Sequence, residues 1–235
     1  MFPGKKIAVA TTLLLLLAPG RAAFAADDKE RVLRQLDASA AKFRNTSADF
    51  QFHAIQTDPV FDEEVQEGAI YYERAGGNFQ MAGHIAKVNG KAVPKVYTFS
   101  HGVFRLYEKL INQITVFKAG DKAEGYVILG FGASGKDLEE KWEIKYLGPE
   151  SLADGKTMVK TEKLELVAKD PAVRKNIRKV TVWMDTERGV SLKQLFDQGA
   201  TTYRVSVYFD IKTNQPLPAD AFTFKTTSHT HNVVQ

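Results

Sequence analysis

The hexapeptide Gly130-Phe131-Gly132-Ala133-Ser134-Gly135 satisfies the G-x-G-x-x-G spacing that lets a backbone turn approach a pyrophosphate. That chemistry also needs a buried parallel strand before the turn and a crossover helix after it, within repeated βαβ units. The surrounding sequence carries antiparallel meanders instead, so these glycines read as a hinge or lid loop. Ser134 does not meet the G-x-S-x-G spacing of a nucleophile elbow. His229 and His231 stand two apart, which on an extended chain puts both on one face, as paired metal ligands require. They have no cysteine or acidic cluster beside them, and the competing account is a frayed polar C-terminus. His53, His84 and His101 are scattered, and Glu63-Glu64 and Glu139-Glu140 read as solvated charges. No Ser/His/Asp set or carboxylate pair follows from spacing, so the sequence predicts no catalytic residue, no cofactor and no metal.

The N-terminus limits where such a protein can work. Lys5 and Lys6 precede an apolar run from Ile7 to Ala18, Pro19-Gly20 ends it, and Ala23-Phe24-Ala25 is a small-x-small cleavage pattern. This predicts a secretory signal peptide over residues 1–25, cut before Ala26, because the run is too short to span a bilayer comfortably. Residues 26–235 then form a single exported, soluble domain. Loss of Lys5, Lys6 and Arg21 leaves 29 basic against 28 acidic residues, so nothing pulls the mature chain toward nucleic acid or an anionic membrane. The absence of cysteine removes disulfides, thiol catalysis and N-terminal lipidation, and leaves packing to supply stability. Asn45-Thr46-Ser47 matches a glycosylation sequon, which a bacterial-style leader makes uninformative.

The elements that must position any site begin with a helix. From a cap at Asp27 or Asp28, Val32, Leu33, Leu36, Ala40 and Phe43 recur at helical spacing. After Asn45 the period becomes two. Alternating runs follow around Phe50–Ala54, Ile70–Arg74, Phe79–Met81, Lys95–Phe99, Val103–Glu108 and Gln113–Phe117. They resume over Trp142–Tyr146, Thr157–Ala168, Ile177–Asp185, Val190–Phe196 and Thr202–Asp210, with a short Ala221–Thr226 tail. Gly76-Gly77, His101-Gly102 and Thr186–Gly189 read as turns. The pattern predicts a mainly β protein with helices (α+β): an incomplete antiparallel barrel of about 10–11 strands that must curl strongly or close. The middle departs from it, with an apolar stretch over Ala123–Phe131 and a charged, helix-prone Lys136–Lys141 suited to a lid. The 15 Phe and 8 Tyr residues, many at alternate positions, fit either a filled core or an apolar cavity sized for acyl chains.

Several segments, taken in order, resemble the outer-membrane lipoprotein carrier (LolA-like) family. They are Thr46–Phe52 after the first helix, Gln66-Glu67-Gly68 leading into Ile70–Arg74, and Phe99–Tyr107 followed by Asn112–Thr115. Tyr203–Phe209 and Asn214–Phe224 complete the set. The resemblance spans nearly all of the mature chain. It implies a half-barrel with a helical lid, no chemistry, and a cavity lined here by Leu36, Phe50, Phe52, Ile70, Tyr72, Phe79 and Met81. By position, Arg74 matches the family's arginine that holds the lid shut, and Gly130, Gly132 and Gly135 fall where the lid hinges. The chain departs from the family at Ala75-Gly76-Gly77, where a proline often follows that arginine, and in a longer, more charged Lys141–Pro171 region. The implied function is that of a monomeric periplasmic carrier and chaperone. It would take acylated lipoproteins from an inner-membrane ABC exporter to an outer-membrane acceptor. The alternative is an envelope sensor, regulator or general lipid-binding protein of the same fold.

Overall fold

The computed structural model describes residues 20–75, 78–118 and 127–235. Residues 1–19 of the expected signal peptide (1–25), the expected turn at Gly76-Gly77 and the 123–126 part of the apolar middle stretch lie outside the described residues. Helix α1 (Gly20–Ala40) precedes β1 (Asn45–Gln56), β2 (Asp62–Ala75), β3 (Asn78–Val88), β4 (Lys91–Ser100), β5 (Val103–Glu108) and β6 (Gln113–Lys118). Then come α2 (Gly135–Lys141), β7 (Trp142–Asp154), β8 (Thr157–Ala168), the single turn α3 (Pro171–Arg174), β9 (Lys179–Asp185), β10 (Val190–Asp197), β11 (Thr202–Thr213) and β12 (His231–Val234). All twelve strands form one sheet in the order β12-β6-β5-β4-β3-β2-β1-β11-β10-β9-β8-β7. Two meanders, β1–β6 and β7–β11, therefore meet at the β1–β11 pair.

The protein is mainly β, as the alternation predicts, and the architecture is an open curved sheet. Among the described residues the strand count is twelve, against about 10–11 expected, and one pair is not antiparallel: β12 runs parallel to β6, from His231 opposite Gln113 to Val234 opposite Val116. The short Ala221–Thr226 tail forms no strand. Ala221 is buried and its carbonyl accepts a hydrogen bond from His84 Nε2 at 2.9 Å, while Phe224 stacks on Tyr107 at 5.1 Å. These contacts draw the chain across the convex face, and pairing starts only at His231, whose N–H reaches Asn112 O at 3.0 Å. His231 thus opens a strand, which corrects the frayed terminus expected there.

α1 begins at Gly20, not at Asp27 or Asp28. The alanines at 22, 23, 25 and 26 are strong helix formers, so the helix runs through the expected cap. Asp28 instead ion-pairs with Arg31 one turn on, at 3.3 Å. Among the described residues no helix is long and apolar enough to cross a membrane. The helical stripe does face the sheet: Val32, Leu33 and Leu36 are buried in the concave interior. Each such side chain contributes about 1.5–3 kcal/mol by leaving water.

Candidate site on the concave face

Cross-strand register fixes which side chains share the concave side. Thr46 stands opposite Tyr72, Tyr72 opposite Met81, Met81 opposite Phe99, and Phe99 opposite Phe104. Because side chains alternate along a strand, Ile70 and Arg74 share that face with Tyr72, and Phe79 shares it with Met81. Leu36, Phe50, Ile70, Tyr72, Phe79 and Met81 all join one buried cluster, and Phe52 packs half-buried at its margin. Arg204 lies over the Phe52 ring, 5.9 Å from its centroid.

The centre of this face is occupied by the chain itself. Phe131 is fully buried, stacked on Tyr72 at 4.1 Å and 11° and edge-on to Tyr208 at 4.9 Å and 89°. Burial pushes the Tyr208 phenol up to about 12, and burial beside Tyr208 and Tyr97 holds Tyr72 well above its ordinary value. Both rings are therefore neutral at ordinary pH.

The backbone around Phe131 is bound on two sides. Toward β10, Gly132 N–H donates to Gly189 O at 2.9 Å, Ser191 N–H to Gly130 O at 2.6 Å, and the buried Gln194 Nε2 to Leu129 O at 2.7 Å. Toward β2, Arg74 Nη2 donates to Gly132 O at 2.9 Å. Gly130 and Gly132 have φ of +83° and +72°, a left-handed backbone that a side chain would strain. Gly135 has a different role. It opens α2 where a Cβ would come within 2.5 Å of Leu33 O, so it serves close packing on α1. Ser134 caps α2 through a capping box with Asp137, which uses its hydroxyl as an acceptor for a backbone N–H.

Phe131, Tyr208 and Gln194 escape sequence reasoning as members of the site. Tyr208 and Gln194 do lie on alternating strands, and that parity is the signal that could have placed them inward. Phe131 stands between two of the hinge glycines, but no local period tells which way its ring faces.

Beyond this closed centre the concave face of β3–β6 is open. A groove of about 390 Å³ is lined by Ile85, Tyr97, Phe104, Leu106 and Phe117, with Gln66, Lys95 and Arg105 as its polar members. Lys95 is paired with Glu108 at 2.9 Å. The size lies within the range of small-molecule pockets. Of the remaining expectations, His229 precedes β12 in a turn, and among the described residues no three His, Cys, Asp or Glu side chains are grouped to hold a metal.

An open sheet curled around one helix, apolar within and covered by a glycine-flanked loop, defines a half-barrel class of protein. The sequence matches no protein-family model and no curated protein. Solved structures do match. An uncharacterized conserved protein from Thermus thermophilus aligns with a TM-score of 0.54 at 11% identity, over 88% of this chain and 99% of that one. MucB aligns at 0.51 and 11% identity, over 88% of this chain and 66% of its own. The LolA superfamily protein NE2245 from Nitrosomonas europaea is a weaker likeness, at 0.39 and 13% identity over 83% of this chain and 97% of that one. Identities this low speak for fold alone. The chain shares its fold with the Thermus thermophilus protein and with MucB.

Proposed function

We propose that this protein is a periplasmic carrier that binds the acyl chains of lipoproteins on its concave face and delivers them toward the outer membrane. The observation that carries the reading is the open apolar groove on β3–β6, which adjoins the closed aromatic centre on the same face. Its donor is an inner-membrane ABC exporter and its acceptor an outer-membrane protein; the carrier itself is a monomer without cofactor, built as one domain after a cleaved leader. Leu36, Phe50, Phe52, Ile70, Tyr72, Phe79 and Met81 line the inner compartment. Arg74 latches the covering loop through Gly132 O, with Gly130 and Gly132 as its hinge points. Burying an acyl chain is worth about 0.8 kcal/mol per methylene, far more than one latch hydrogen bond. Release is therefore driven by a better acceptor site, and the latch sets when the cavity opens.

A fluorescent acyl probe on the purified protein tests this. Displacement by a triacylated lipopeptide, but not by the unacylated peptide or plain phospholipid, is the expected result. Arg74→Leu should exchange the probe several-fold faster. Equal displacement by phospholipid would favour the second reading, a lipid sensor or regulator, which draws support from a fold that is not confined to lipoprotein carriers. No displaceable binding would remove both.

A further inference from the structure

The register aligns one rung of apolar side chains across five strands of the concave face: Tyr72, Met81, Phe99, Phe104 and Phe117. At strand spacing the rung is about 19 Å long, the length scale of a long straight acyl chain. Burial grades along it. Phe117 is 37% exposed, Phe104 is half-buried in the open groove and touches Phe99 at 4.6 Å, and Met81, Phe99 and Tyr72 are closed over. The rung thus leads from open solvent to the slot between Tyr72 and Tyr208, where Phe131 sits.

We propose that this slot is the inner end of an acyl-chain subsite, and that Phe131 is its resident occupant, a built-in competitor that a bound chain must expel. The proposal rests on the acyl-binding reading above. The loop is made for such an exchange. Phe131 presents a flat apolar ring of about a chain's width, stacked on Tyr72 and edge-on to Tyr208, both neutral phenols. Glycines flank it on both sides with positive φ, which concentrates the backbone change at two residues. Its tethers are hydrogen bonds to Gly189, Ser191, Gln194 and Arg74, groups that water can satisfy once the loop lifts. Ser134 and its capping box stop the motion at α2, so that the loop swings while the helix stays on α1.

The test compares wild type with Phe131→Ala in binding 11-(dansylamino)undecanoic acid, measuring affinity and association rate. A parallel experiment follows the Phe131 ring resonance of ¹³C-Phe-labelled wild type during titration with the same probe. Competition predicts at least tenfold tighter and faster binding by Phe131→Ala. It also predicts loss of the ring-current shift from Tyr72 as the wild type saturates. If both proteins bind alike and the Phe131 resonance stays put, the slot proposal falls while acyl binding stands. If neither binds the probe, the acyl reading falls and takes the proposal with it. Should Phe131→Ala fail to fold, the wild-type resonance alone decides: movement on saturation supports expulsion, and constancy overturns it.

Discussion

At the residue scale, the interior is set by three phenols that stay protonated. Tyr72, Tyr97 and Tyr208 are all pushed above the ordinary tyrosine value, with burial as the main cause. A phenol whose folded-state value exceeds the unfolded value of about 10 favours the fold fully below pH 10. That advantage disappears as pH rises through the folded value. For Tyr208, raised to about 12, the loss amounts to roughly 3 kcal/mol between pH 10 and 12. Urea midpoints should therefore be flat from pH 8 to 10 and fall steeply beyond, and Tyr208→Phe should soften that fall. A profile for Tyr208→Phe that keeps the full alkaline slope would show that other groups govern it.

At the element scale, the C-terminal segment does what a strand pattern does not announce. Residues 214–230 cross the convex face, held by His84 on Ala221 O, by Phe224 on Tyr107, and by Asn112 bonded to both Thr227 and Thr230. β12 then covers the free edge of β6, where Ile114, Thr115 and Val116 would otherwise offer open N–H and C=O groups. All four β12 residues are exposed, so they contribute little burial. Deleting residues 228–235 should leave the melting temperature within a few degrees of wild type. It should also cause concentration-dependent self-association through the bared β6 edge, read by light scattering. A truncated chain that stays monomeric at high concentration would refute an edge-covering role.

At the scale of the whole molecule, a charged clasp holds the curl of the second meander. Arg188, in the β9–β10 turn, ion-pairs with Asp185 at 2.6 Å and with Asp154, at the tip of β7, at 2.7 Å. Asp154 in turn accepts Ile211 N–H from β11 at 3.1 Å, and Arg188 donates to Ile211 O at 3.2 Å. β7, the far edge of the sheet, is thereby bent back onto β11. Both carboxylates are 7% exposed and Arg188 26%, so Arg188→Met should cost roughly 3 kcal/mol, the low end for a broken buried pair. A shift in urea midpoint of less than a third of that would mean packing alone maintains the curl.

The strands, the helical stripe of Val32, Leu33 and Leu36, and the inward parity of Phe50, Ile70, Tyr72, Phe79 and Met81 are legible from the order of residues. Each depends on local periodicity, and a residue's parity on a strand decides its face before any partner is known. The start of α1 and the length of β7 are less legible, because helix propensity and hairpin pairing extend elements past their periodic core. Other features exist only once the chain has folded. Phe131 meets Tyr72 and Tyr208, Arg74 reaches Gly132 across 58 residues, Asp154 meets Arg188, and His231 to Val234 pairs in parallel with β6. These contacts join segments that no local period relates. They arise because a twelve-stranded sheet curls until its concave face must be filled and its edge must be covered.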